Sequence, residues 1–184
     1  GKYLKEKGRL NNNAIVGTVM SNLGLKKFCE SENINFVATK VGDRYVLEEM
    51  LDKDYMIGGE QSGHVIFKEY ANTGDGELTS LMVLNILSER KCKLSELASI
   101  MDKYPQVLVN VNVTKEGKTS FGEDAEINAL IKKYEEELNG DGRILIRASG
   151  TENLIRVMIE GKNTEEISRM ANDIADLINK KFGI

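Results

Sequence analysis

Tryptophan is absent from this 184-residue sequence, which also has only two cysteines, one proline and one histidine. Cys29 and Cys92 have no second pair, which argues against a disulfide framework, a zinc site or a C-x-x-C redox motif and favours a reduced, cytoplasmic setting. The longest apolar run, LMVLNIL, is far too short to cross a bilayer. The 25 basic and 29 acidic residues contain no run of like charge that stands out, so we expect neither a nucleic-acid nor a membrane partner.

The first half of the chain alternates between strand and helix patterns. Buried-strand patterns (NAIVGTVM, INFVAT, YMIGG, HVIF) are separated by the helical patterns LGLKKFCESEN and DRYVLEEMLDK, and Asp43 could cap the second helix. A further helix is predicted over 77–90, with an apolar face formed by Leu78, Leu81, Met82, Asn85 and Ile86. This order predicts a layered α/β unit with some parallel pairing. The first residues are also typical of a helix, so we expect the chain to be a fragment.

The second half of the chain has a different order of strand and helix patterns. LSELASIMDKY predicts a helix that Ser95 could cap and that Pro105 ends, and QVLVNVNVT alternates like a half-buried strand. An amphipathic helix follows, then the strand patterns RILIRAS and NLIRVMIEG, then a long helix with Asn163 and Glu166 at capping-box spacing. This order predicts a small α+β domain, an open sheet with helices on one face.

The first stretch that carries chemistry is GGEQSGHVIF, at 58–67. Glu60 and Ser62 are two residues apart, so in an extended segment both side chains would point to the same side. A carboxylate beside a hydroxyl suits the vicinal hydroxyls of a sugar, and the glycines would let a ring approach the main chain. His64 is a candidate for proton transfer. The alternative is a glycine-rich bend in which Glu60 and His64 are solvated or paired with a neighbour.

The second stretch is RASGTENLIR, at 147–156. Arg147 ends one predicted strand and Arg156 lies on the next, while Ser149, Gly150 and Thr151 between them offer two hydroxyls and a flexible backbone. Arginine forks and convergent backbone N–H groups are typical of a phosphate-binding turn. The alternative is a plain hairpin turn with two solvated arginines.

In this order and spacing the two stretches resemble the α-D-phosphohexomutase superfamily. Its members carry a sugar-binding loop G-E-x-S-G-H in their third domain and a phosphate-binding loop R-x-S-G-T-E-P in their fourth. TVMSNLGL, KVGDRYV, TGDG and YPQVLVNV add to the resemblance, and Gln61 with VGDRYV favours the branch that acts on glucosamine phosphates. Asn153 replaces the usual proline, which loosens the loop without removing a ligand group. The resemblance implies that 1–91 belong to domain three and that 92–184 form a TBP-like domain four.

The resemblance also implies what lies outside this chain. Family members carry a phosphoserine in an S-H-N-P-type loop of domain one and magnesium-binding aspartates in a D-G-D-x-D-R loop of domain two, and neither motif occurs here. The chain is therefore expected to be the substrate-holding half of an isomerase that moves a phosphoryl group between O1 and O6 of a hexose phosphate. Alone it is expected to be inactive. In the family, the loop that matches Lys40, Asp43 and Arg44 borders the active site, although Asp43 serves equally well as a helix cap.

The expected cofactors of the complete protein are magnesium and a hexose bisphosphate, which is the activator and intermediate of the family reaction. Its expected partners are the phosphosugar substrate and the missing first and second domains, and a homodimer of the complete protein is left open. Two alternatives are a relative acting on mannose or glucose phosphates and a non-catalytic phosphosugar-binding module. A nucleic-acid binder is disfavoured by the net charge and by the lack of interleaved aromatic residues.

Overall fold

A computed structural model describes all 184 residues, and the chain divides into two compact units, Gly1–Lys103 and Tyr104–Ile184. The first unit extends past the boundary expected at residue 91. The segment after residue 91 packs closely in this unit, because a Cβ added to Gly24 would stand only 1.9 Å from the carbonyl oxygen of Asp102. No helix combines the length and the apolar character needed to cross a membrane.

The first unit is a mixed sheet with helices on both faces. Its strands are β1 Ala14–Thr18, β2 Asn35–Thr39, β3 Ile57–Gly59 and β4 Val65–Phe67. Its helices are α1 Lys2–Glu6, α2 Leu23–Ser31, α3 Asp43–Asp52, α4 Gly76–Arg90 and α5 Leu94–Ala98. The strand order is β2-β1-β3-β4, with β1 parallel to β2 and β3, and β3 antiparallel to β4. The predicted α/β unit with parallel pairing is confirmed.

The two faces of this sheet bury separate apolar clusters, because successive residues of a strand point to opposite faces. Ile15 of β1 packs against the cluster that contains Tyr3 and Cys29, whereas Val16 packs in the cluster that contains Val46 and Met50 of α3. A Cβ added to Gly58 of β3 would stand 2.6 Å from the sulfur of Met50. Helix α3 therefore lies directly against the strand that leads into the GGEQSGH stretch.

Two helix predictions in this unit are partly wrong. The half-buried apolar residues of α4 are Leu78, Met82, Val83, Ile86 and Leu87. Leu81, expected on the buried face, is 64 % exposed, and Asn85 is exposed as well. Helix α5 ends before Pro105, and Ser95 lies inside its first turn, because Glu96 accepts a hydrogen bond from the backbone N–H of Lys93 and so sets the helix start there.

The second unit is an antiparallel three-stranded sheet, ordered β5-β7-β6, with helices on one face. Its strands are β5 Gln106–Asn112, β6 Gly142–Ala148 and β7 Leu154–Gly161, and its helices are α6 Lys115–Ser120, α7 Ala125–Leu138 and α8 Thr164–Phe182. Ile155, Val157 and Ile159 of β7 are buried in the core with residues of α7 and α8. The predicted open-sheet α+β domain is confirmed. Helix α6 was not predicted, because its sequence KEGKTS has no apolar repeat.

Candidate functional site

The GGEQSGH stretch forms a tight turn between β3 and β4. The backbone N–H of Glu60 donates to the carbonyl of His64 (2.9 Å), and the N–H of Gly63 donates to the carbonyl of Glu60 (3.0 Å). Gly63 has a φ of +100°, a conformation that favours glycine and lets the chain reverse. The segment from Glu60 to Gly63 is therefore not extended as expected, and the alternation of side chains along a strand does not apply to Glu60 and Ser62.

Glu60 connects this turn to the loop that precedes α3. Its side chain is half-buried, and its Oε1 accepts a hydrogen bond from the backbone N–H of Gly42 at 2.8 Å. Gly42 has a φ of +131°, so the contact depends on a residue that tolerates the left-handed region. Oε2 of Glu60 has no hydrogen-bond donor from the chain, which leaves one oriented carboxylate oxygen for a ligand. No local sequence pattern predicts this contact, because the two residues are 18 positions apart.

The three residues predicted in the KVGDR loop have different surroundings. Asp43 does not cap α3, because the cap position is Gly42; Asp43 is the first helical residue, and its Oδ1 accepts from the backbone N–H of Arg44 (2.8 Å). The Arg44 side chain is 81 % exposed and donates from Nε to Glu48 (2.7 Å). Lys40 lies 5.9 Å from the centre of the Tyr45 ring. Arg44 therefore pairs along α3.

An open groove of about 490 Å³ runs beside β2 and α3. Among the predicted site residues only Lys40 lines it, and its acidic residues are Glu48, Glu49 and Asp52. Glu60, Ser62 and His64 are not part of its lining. The groove is therefore separate from the polar turn, and the sugar-binding hypothesis does not depend on it.

Ser62 and His64 pair with each other at the exposed tip of the turn. Ser62 Oγ lies 3.0 Å from His64 Nδ1, and both residues are exposed. The TGDG segment supports this position: a Cβ added to Gly74 would stand 3.1 Å from the Cβ of His64. Asp75 fixes the same segment, because its N–H donates to the carbonyl of Val65 and its Oδ1 caps α4. The turn thus presents a paired hydroxyl and imidazole to solvent.

The second predicted stretch places two arginines directly opposite each other. Arg147 on β6 and Arg156 on β7 are register partners in the antiparallel ladder, so both side chains leave the same face of the sheet. The neighbouring residues Ile155 and Val157 are buried on the helix-covered face. Like charges in this position are unfavourable unless an anion lies between them.

Neither arginine is fully paired within the chain. Arg147 is half-buried and forms no ion pair, and burial, together with the charge of Arg156, holds the pKa of Arg147 below its ordinary value. The Nε of Arg156 is buried without a hydrogen-bond partner. Its terminal nitrogen lies 3.3 Å from Oε2 of Glu152. Buried donors without partners cost stability, so the arrangement indicates a site for an external anion.

The loop between the two arginines supplies further donors. Ser149 is 3 % exposed, and its Oγ accepts from the N–H of Glu152 (3.3 Å), which leaves the Ser149 O–H as a donor. Gly150 and Thr151 are exposed, and their backbone N–H groups donate to no group of the chain. A Cβ added to Gly150 would meet no atom within 4 Å. The space above Gly150 is therefore open to a ligand.

The magnesium expected of the complete protein has no ligand set here. Across the 184 described residues, no three side chains among His, Cys, Asp and Glu are gathered in a way that could hold a metal ion. The residues of this chain therefore do not fit a metal centre.

The α/β unit with its polar turn and the open-sheet unit with its paired arginines together define a phosphohexomutase fold. The chain belongs to the phosphoglucomutase/phosphomannomutase family: the family's alpha/beta/alpha domain III matches residues 1–104, and its C-terminal domain matches residues 108–177. The predicted membership in the phosphohexomutase superfamily is confirmed.

Curated relatives and solved structures agree with this assignment. The phosphoglucosamine mutases of Clostridium novyi and Clostridium beijerinckii are 56 % and 55 % identical over 181 residues, which are 98 % of this chain and 40 % of each relative. The chain thus spans about 40 % of the length of these relatives. Aspergillus fumigatus N-acetylphosphoglucosamine mutase shares the fold, with a TM-score of 0.75 at 20 % identity over 97 % of this chain and 40 % of that one. A Burkholderia thailandensis family protein has a TM-score of 0.74 at 18 % identity, over 98 % of this chain and 39 % of its own.

Proposed function

We propose that the chain is the substrate-holding part of a cytoplasmic phosphoglucosamine mutase, an enzyme that interconverts glucosamine 6-phosphate and glucosamine 1-phosphate. The observation that carries the proposal is the pair of opposed arginines, Arg147 and Arg156, which lack full compensation within the chain. The choice of sugar is supported by relatives 54–56 % identical that carry this name.

The paired-arginine loop is proposed to bind the phosphate of the substrate. A phosphate dianion offers several acceptor oxygens, and the guanidinium forks of Arg147 and Arg156 match them in geometry. The N–H groups of Gly150 and Thr151 and the hydroxyl of Ser149 would add neutral donors. Most of these donors have no hydrogen-bond acceptor within the chain, which supports their assignment to a bound phosphate.

The polar turn is proposed to hold the sugar hydroxyls. Glu60, fixed through Gly42, offers one oriented carboxylate oxygen, and Ser62 offers a hydroxyl whose partner is His64. If these groups contact the 3- and 4-hydroxyls, they serve both half-reactions, because these hydroxyls roughly exchange places when the sugar turns over. His64 remains a hypothesis for proton transfer, and Lys40, Asp43 and Arg44 remain hypotheses for substrate contact.

The reacting groups are proposed to lie in the part of the protein outside this chain. Phosphoryl transfer depends mainly on positioning and on charge stabilisation, and this chain would supply the positioning. The phosphoserine and the metal site would come from the missing first and second domains, and a hexose bisphosphate would be the intermediate. The chain alone is therefore expected to bind substrate without turning it over.

Activity measurements on the complete protein and on the 1–184 chain test this proposal. The complete protein should convert glucosamine 6-phosphate with a higher kcat/KM than it shows for glucose or mannose 6-phosphate, while the 1–184 chain should show no turnover. Preference for glucose or mannose phosphates would assign the protein to another branch of the family. An inactive complete protein that still binds the phosphosugar would favour the non-catalytic module.

A further inference from the structure

Glu152 is the only residue of the chain whose carboxylate pairs with either of the two opposed arginines. Its Oε2 lies 3.3 Å from a terminal nitrogen of Arg156, and no ion pair reaches Arg147. The backbone N–H of Glu152 donates to Ser149 Oγ, which ties the residue to the proposed phosphate-binding loop. A negative charge of the chain itself therefore lies at the edge of a cluster of anion-binding donors.

We propose that Glu152 is an internal competitor for the phosphate: its carboxylate partly neutralises the arginine pair in the unliganded loop and leaves Arg156 when a phosphate group binds. The inference rests on the proposed function, since it takes the loop to be a phosphate site. It adds a residue that tunes affinity. A loop that must release one phosphate group and accept another in each cycle gains faster exchange from a carboxylate that returns to the arginine.

The geometry supports a contact that is easily exchanged. A distance of 3.3 Å is longer than the roughly 2.7–2.9 Å of a strong charge-assisted hydrogen bond. The Glu152 side chain is 58 % exposed, so it can swing into solvent without losing buried contacts. The carboxylate also leaves Arg156 Nε unpaired. A phosphate, with more acceptor oxygens, can pair with the terminal nitrogens of Arg156 and with Arg147 at once, and so outcompetes the carboxylate.

A supporting role for Glu152 would predict the opposite change in phosphate affinity when its carboxylate is removed. If Glu152 instead held the Arg156 guanidinium in its binding orientation, removal of the carboxylate would weaken phosphate binding. If only long-range repulsion mattered, removal of any acidic residue from this unit would have the same effect. Glu135, which is exposed on α7 and has no ion-pair partner, provides the matched control for that case.

Isothermal titration of the 1–184 chain with inorganic phosphate distinguishes these roles. An exposed ion pair contributes about 0.2–1 kcal/mol, so Glu152→Gln should tighten the phosphate Kd by about 1.5- to 5-fold. Glu135→Gln should leave the Kd unchanged. Arg147→Met should weaken binding in every background.

Three results would overturn the inference. Weaker phosphate binding by Glu152→Gln would show that Glu152 positions Arg156. An equal decrease of the phosphate Kd in Glu152→Gln and Glu135→Gln would show that only the net charge of the unit matters. In both cases the phosphate site itself would stand, provided that Arg147→Met weakens binding. If neither the wild-type chain nor Glu152→Gln binds phosphate, the proposed function of the loop fails together with the inference.

Discussion

Replacement of Arg147 by methionine should stabilise the unliganded protein while it weakens phosphate binding. Arg147 is half-buried, faces Arg156 across the β6–β7 ladder and has no carboxylate partner. Burial, followed by the charge of Arg156, lowers the pKa of Arg147, because both disfavour the charged guanidinium. Methionine keeps the aliphatic packing of the arginine stem and removes the charge. A residue retained for binding at a cost to stability should show this opposite pair of effects.

The two magnitudes follow from the contacts. Relief of like charges that oppose each other across two strands should raise the free energy of unfolding by about 0.2–1 kcal/mol. Loss of a hydrogen bond to a charged phosphate should cost about 1.5–3 kcal/mol of binding free energy. Since about 1.4 kcal/mol corresponds to a factor of ten, the phosphate Kd should rise by about 10- to 150-fold. Arg156→Met should weaken binding less, because Arg147 lies within the loop motif itself.

Urea denaturation and phosphate titration of the same protein samples measure both effects. The expected outcome for Arg147→Met is a higher denaturation midpoint, an unchanged m-value and a weaker Kd. A lower midpoint combined with an unchanged Kd would show that Arg147 is structural, and the reasoning from unpaired arginines would be refuted. Fluorescence from the tyrosines can follow unfolding, since the chain has no tryptophan.

Three further predictions concern other positions. Gly150→Ala should leave the denaturation midpoint unchanged, because the added Cβ meets no atom of the chain. The same Cβ fills the open space above the loop, so phosphate titration should show binding weakened about tenfold or more. Binding equal to that of the wild-type chain would place the phosphate elsewhere. If the complete protein has the proposed mutase activity, Glu60→Gln should slow formation of both products from the bisphosphorylated sugar about tenfold with an unchanged partition ratio. Loss of one product alone would contradict a shared contact. Lys181 and the backbone N–H of Ile127 hold the pKa of Asp124 below 3.8, so its contribution to stability is present above that pH and is lost as pH falls through the lower folded value. Asp124→Asn, which retains a capping side chain, should therefore lose less stability than wild type as the pH falls below about 4 in acid denaturation.

Most of the fold could be predicted from periodicity. The strands of the first unit are continuous apolar runs, and α8 has a long amphipathic repeat that begins after the capping residue Asn163. Elements without such a repeat were missed or misjudged: α6 is short and polar, and α5 ends well before the proline that was expected to stop it. A helix end that no Gly or Pro marks cannot be read from periodicity alone.

The candidate site was predicted by residue type but not by geometry. The motifs located the polar turn and the arginine loop, yet the direct opposition of Arg147 and Arg156 depends on the register of β6 and β7, which a loop of this length does not fix from sequence. The bond between Glu60 and Gly42 joins residues far apart in sequence, so no local pattern could show it. The tight turn at Gly63 likewise replaced the extended segment that alternation suggested.

Calorimetric titration of the 1–184 chain with glucosamine 6-phosphate, in parallel with unphosphorylated glucosamine, tests the central claim most directly. If the chain holds the substrate through the paired-arginine loop, the phosphosugar should bind measurably, glucosamine should show no detectable heat, and Arg147→Met should weaken phosphosugar binding by about tenfold or more. Equal binding of the two sugars, or phosphosugar binding that Arg147→Met leaves unchanged, would contradict the account.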